Sequence, residues 1–103
     1  MRSFGDWGDG VGQLGYCRGM RFTADGRHIV VANGSNGNER LSQWSVEGVF
    51  VKEVGRGALM YAEDVALAGN GDWIACDRGA NEMIVFSGGN GGEVRRWGGR
   101  GAF

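Results

Sequence analysis

A strand–turn–strand pattern occurs twice in this chain. Downstream it reads I-A-C-D-R-G-A-N-E-M-I-V-F, from Ile74 to Phe86, and upstream a looser copy reads I-V-V-A-N-G-S-N-G-N-E-R-L-S-Q-W, from Ile29 to Trp44. In each, two apolar runs flank a polar turn. Other landmarks keep step: Asp25-Gly26 recurs as Asn70-Gly71, Asn33 as Asp77, Trp44 as Phe86, and the glycine at Gly55 recurs at Gly98. The period lies in the low to middle forties, and its drift falls in turns, where insertions are tolerated. A repeat of that length holding four short strands is the pattern of a radial array of four-stranded sheets.

Glycine supports this reading. The chain of 103 residues has 22 glycines and no proline. Glycine is costly inside helices and strands and useful in turns, so few windows are long enough for a helix. Strands are expected over Arg18–Thr23, Ile29–Ala32, Arg40–Ser45 and Val49–Val54, then over Asp64–Ala68, Trp73–Cys76, Glu82–Phe86 and Glu93–Trp97. The run Ala58–Ala68 is rich in helix formers, but its place in the repeat matches the strand beginning R-G-M-R-F at Arg18. The expected fold class is all-β, a β-propeller fragment of two four-stranded antiparallel blades. Residues 1–55 form the first repeat, 56–97 the second, and 98–103 the start of a third. Trp44, Trp73, Phe86 and Trp97 are expected in the core between blades, where aromatic rings supply large area.

Read together, these segments resemble the NHL repeat. Phe4-Gly5 through Gln13-Leu14 match its opening glycine loop. Val31-Ala32-Asn33 and Ala75-Cys76-Asp77 match the V-A-D end of its second strand. Asn81-Glu82-Met83-Ile84-Val85-Phe86 match its N-x-R-V-x-V-F segment, with Met83 in place of the usual arginine and Arg40 keeping it upstream. Arg18 and Glu63 stand where the family often has proline, and Asn33 replaces aspartate. The resemblance implies a propeller that serves as a protein-interaction scaffold. Some similar propellers are amidating lyases or lactonase-like enzymes, which implies an alternative: a blade pair whose metal ligands lie on further blades.

In an up-and-down meander, alternate turns share one end of the sheet. That end would carry Trp7, Tyr16, Arg18, Asn36, Asn38 and Arg40 from the first repeat, and Arg56, Tyr61, Glu63, Asp77, Arg78, Asn81 and Glu82 from the second. Tyr16, Arg18, Arg56, Tyr61 and Arg78 are the candidate ligand-face residues, against a plainer reading as a solvated rim. Asn33, Asp77, Gly79 and Asn81 read as turn residues: Asn and Asp bond the backbone of their own turn and Gly supplies positive φ.

Other chemistries find little support in the residues. His28 is the only histidine, so no multi-histidine zinc site forms within the chain, and no cofactor is expected. Arg95, Arg96 and Arg100 make a small basic cluster, but the net charge of −1 offers weak attraction for RNA or an anionic membrane. Cys17 and Cys76 lie far apart without a C-x-x-C partner and read as separate thiols. The N-terminus lacks the apolar core of a signal peptide, and no run approaches the ~18 apolar residues that span a membrane; the cytoplasm is the default expectation. A protein partner is expected. Self-association is expected too, because an isolated blade pair leaves apolar faces and sheet edges open.

Overall fold

A computed structural model describes residues 5–35 and 37–98. Phe4, Asn36, Arg100 and the stretch 99–103 therefore lie outside the described residues. The chain forms eight strands: β1 (Tyr16–Phe22), β2 (His28–Gly34), β3 (Arg40–Ser45), β4 (Phe50–Val54), β5 (Ala62–Leu67), β6 (Trp73–Asp77), β7 (Glu82–Phe86) and β8 (Glu93–Gly98). They build two four-stranded antiparallel meanders, β1-β2-β3-β4 and β5-β6-β7-β8. Neither sheet closes on itself, and no helix occurs among the described residues. The helix-forming run Ala58–Ala68 supplies β5. Its apolar Val65 and Leu67 alternate with Asp64 and Ala66, and burial of that face outweighs helix propensity.

The hairpin turns between β1 and β2 and between β5 and β6 place Gly26 at φ 71° and Gly71 at φ 94°. Glycine adopts these angles at no steric cost. Between β6 and β7 the positive φ belongs to Asn81, at 56°, not to Gly79. Gly79 answers a different need: a Cβ there would lie 2.7 Å from the Cβ of Met60. The loop before β5 passes too closely for a side chain.

Strand pairing matches the two sheets residue for residue. Asn33 opposes Arg40 and Ile29 opposes Trp44 in the first sheet; Asp77 opposes Glu82 and Trp73 opposes Phe86 in the second. The bulges recur as well. One sits between Cys17 and Gly19 in β1 and between Ala62 and Asp64 in β5, so Arg18 and Glu63 are the extra residues at the same place. Another adds Val51 to β4 opposite the Gln43–Trp44 step and Val94 to β8 opposite the Val85–Phe86 step. This register moves one sequence match by a residue. Glu82, not Met83, stands in Arg40's place, and Met83 stands in Leu41's.

Alternation along β2 turns Val30 and Ala32 to one face and Ile29 and Val31 to the other. The first pair is buried and the second half-buried, so β2 is not enclosed on both faces as its unbroken apolar run suggests. Val30, Ala32, Leu41 and Val54 meet Val65, Trp73, Ala75, Ile84 and Phe86 of the second sheet, with Leu59 and Ala62 at one end. The core is therefore the contact between the two sheets. β5 lies against β1 and β2, with a lighter contact to β3. Trp73 and Phe86 lie in this core as expected; Trp44 is buried instead on the other face of the first sheet, edge-on to Phe50, and Trp97 is 46% exposed. It sits on β8, on the face of the second sheet that no described element covers.

Candidate functional site

Each sheet is entered by a glycine-rich loop held down by polar side chains where its second strand turns into its third. In the first sheet Arg40, 0% exposed, donates from Nη2 to the carbonyls of Gly8 and Gln13 at 2.9 and 2.7 Å, and from Nη1 to Asn38 O at 2.7 Å. Asn33 Oδ1 accepts from Gly15 N at 3.0 Å, and its amide donates to Ser42 Oγ at 3.0 Å. Arg40 was expected on the exposed ligand face; the loop folds over it, and burial pulls its pKa down. In the second sheet Asp77 does the fastening. Its two carboxylate oxygens accept from Met60 N and Tyr61 N, both at 2.9 Å, and Oδ1 also accepts from Gly79 N and Ala80 N at 3.0 and 3.3 Å. Asp77 thus serves its own turn, as a turn residue should, and also clasps the preceding loop. Being 1% exposed, it too is withdrawn from the surface.

These clasps leave a cleft of about 560 Å³ between the sheets at the loop end, lined by Tyr16, Cys17, Arg18, Ser35, Glu39, Met60 and Tyr61. Three of the five ligand-face residues, Tyr16, Arg18 and Tyr61, meet here. The Arg18 guanidinium lies 3.8 Å from the Tyr61 ring centroid. Arg78 approaches the same ring at 5.4 Å and is exposed, with no carboxylate at ion-pair distance among the described residues. Tyr16 packs edge-on against Trp7, with centroids 4.8 Å apart. Arg56 does not line the cleft. It donates from Nε and Nη2 to the two oxygens of Glu53, at 2.5 and 3.0 Å, and from Nη1 to Asn38 Oδ1 at 3.1 Å.

The floor of the cleft holds a residue that the sequence did not mark. Glu39, 3% exposed in its side chain, pairs with Arg18 at 2.5 Å. The pair grips the backbone of Ala62 on the other sheet: Glu39 Oε1 accepts from Ala62 N at 2.7 Å, and Arg18 Nη1 donates to Ala62 O at 3.0 Å. Burial alone would lower the Arg18 pKa, but the hydrogen bond and charge of Glu39 carry it upward. Nothing local separates Glu39 from any exposed glutamate in a hairpin turn. Only the arrival of β5 buries it. Cys17 also lines the cleft; partial burial pushes its thiol up against the pull of Arg40 and Arg18, so it stands as a poorly nucleophilic thiol. Cys17 and Cys76 are both free.

The Glu53–Arg56 pair makes a pH prediction. The hydrogen bond from Arg56 is the main cause that holds the Glu53 carboxyl below the ordinary glutamate range, and partial burial opposes it. A carboxyl depressed on folding stabilises above its unfolded pKa of about 4.3. That contribution is lost as pH falls through the lower folded value. Glu53→Gln should therefore flatten the acid limb of stability against pH, measured by urea denaturation between about pH 7 and pH 3. An unchanged limb would show that the pair adds nothing to folding.

Arg96 of the basic cluster is bound to Glu93 at 2.6 Å and Glu82 at 3.0 Å, so part of that cluster is neutralised; Arg95 is exposed. Among the described residues no three His, Cys, Asp or Glu side chains converge as a metal-binding group, and no helix is long and apolar enough to cross a membrane. No protein-family model and no curated protein matches the chain.

Proposed function

We propose that the two sheets are consecutive blades of an NHL-type β-propeller, with 1–55 and 56–97 as its repeats, and that the cleft end recognises a protein partner. Support for the propeller reading comes from the shared strand register, the recurring bulges, and the way one face of the first sheet packs on the opposite face of the second. Radial arrays stack their sheets in this manner.

The observation that carries the recognition reading is the setting of Tyr61, with Arg18 stacked at 3.8 Å and Arg78 at 5.4 Å, at a cleft that Tyr16 also lines. Tyrosine, tryptophan and arginine dominate the energetics of protein interfaces. The ring is already held by its two cations, so little side-chain entropy is lost on binding. Arg78 is open to a carboxylate, and Tyr16, Trp7 and Met60 offer apolar surface beside it. The occupant is a peptide segment that sets an acidic side chain next to an aromatic or aliphatic one.

Random peptides displayed on phage and selected on the chain provide the test. Selected peptides should be enriched in that pairing and should lose at least about tenfold in affinity on Tyr61→Ala, the loss of about 1.4 kcal/mol. Arg78→Ala should weaken the acidic peptides most. Peptides that ignore both substitutions, or that are blocked by changes at Trp97 instead, would move recognition away from the cleft.

A further inference from the structure

We infer that copies of this chain associate head to tail: the open face of β5–β8 in one copy receives the outer face of β1–β4, with its glycine loop, from the next. The inference does not depend on what the cleft binds.

The contact between the two sheets within a chain is heterologous, because it joins opposite faces of the repeat. The first sheet offers a socket of Ala32, Leu41 and Val54, and the second inserts a plug of Val65, Trp73 and Phe86 with Leu59. Strand pairing shows where each element recurs. The socket residues correspond to Cys76, Met83 and Trp97 on the open face of the second sheet. These three line an unfilled hollow of about 380 Å³. The plug residues correspond to Met20, Ile29 and Trp44 on the outer face of the first sheet, and Leu59 corresponds to Leu14. Among the described residues the chain thus carries a filled junction and both halves of a second one, in which Trp44 is already buried against Phe50. Exposed apolar side chains are found on both halves: Met20 and Phe22 on the plug, at 47% and 61%, and Trp97 in the socket.

Polar partners carry over with the apolar ones. Within the chain Ala62 N donates to Glu39, and Lys52 Nζ lies over Trp73 and donates to Gly88 O at 2.6 Å. Across copies the same positions place Cys17 N against Asn81, and Arg95 over Ile29 within reach of the turn at Val46. Where Arg18 stacks on Tyr61 inside the chain, Glu63 would meet Tyr16 of the next copy. The junction therefore builds a second cleft with an acid in place of the base, incomplete without the partner copy. A heterologous contact of this kind propagates until it closes into a ring or extends as a filament.

Light scattering on the full chain across a concentration series should show masses above the monomer. Two double variants at partly exposed positions separate the halves: Met20→Lys with Phe22→Lys blocks the plug, and Met83→Lys with Trp97→Lys blocks the socket. Each alone should be monomeric, with its fold checked by circular dichroism. Mixed in equal amounts, they should form a dimer and stop there, since one intact plug meets one intact socket. An independent readout uses Asn81→Cys in a Cys76→Ser background, which should give disulfide-linked oligomers through the native Cys17 of the next copy. A wild-type chain that stays monomeric throughout, blocked variants that still associate alone, or a mixture that stays monomeric would each overturn the inference. So would an Asn81→Cys chain that links to no other copy.

Discussion

Replacing Asp77 with alanine is expected to cost about 3–5 kcal/mol of folding stability, because it leaves several buried backbone donors without their charged acceptor. Four backbone N–H groups, of Met60, Tyr61, Gly79 and Ala80, point at its carboxylate. Water cannot readily replace a side chain that is 1% exposed, and each buried donor left unpaired costs about 1–3 kcal/mol. Asp77→Asn keeps the shape but turns one acceptor oxygen into a donor facing N–H groups, so it should recover only part of the loss. Asn33, at the same place in the first sheet, makes an instructive comparison. It is neutral and accepts from one backbone N–H, that of Gly15, so Asn33→Ala should cost about 1–2 kcal/mol. Urea denaturation of the three variants checks the order. If Asp77→Ala costs under about 1 kcal/mol, the carboxylate is not what holds the second loop down.

Glu39→Ala is expected to be nearly as damaging, and for a different reason. It leaves the Arg18 guanidinium without its carboxylate at a site where that side chain is 13% exposed, and it removes the acceptor from Ala62 N. Breaking a buried pair by deleting one partner costs about 3–5 kcal/mol, whereas replacing both partners with apolar side chains is often near neutral. Arg18→Met combined with Glu39→Leu should therefore be more stable than Glu39→Ala alone. The damage should also be local. Amide exchange should accelerate first along β5, because the pair grips Ala62 at its start, before it does in β3 and β4. Uniform acceleration, or a double variant as unstable as the single, would show that the pair does not join the sheets.

The positions of the strands were legible because the signals are local. Arg40–Ser45 and Glu82–Phe86 end just before the turns at Glu47-Gly48 and Ser87-Gly88, and Asp25-Gly26 and Asn70-Gly71 turn the chain where a positive φ is needed. The candidate site was legible in part. Tyr16, Arg18 and Tyr61 reach one cleft because alternate turns of a meander share an end. Arg56 and Arg78 look alike as exposed arginines beside glycines, yet Arg56 finds Glu53 three residues back while Arg78, among the described residues, finds the Tyr61 ring and no carboxylate.

The strands, their order and the period that relates the two sheets follow from local side-chain pattern and backbone freedom over a few residues, so the chain's own letters carry them. Tertiary structure decided which polar groups are hidden. Arg40, Glu39 and Asp77 read as surface residues until a glycine loop or the other sheet covers them, and Trp97 reads as core although it is 46% exposed. Burial depends on what packs over a face, and that neighbour comes from a distant part of the chain. No window of sequence around the residue contains it.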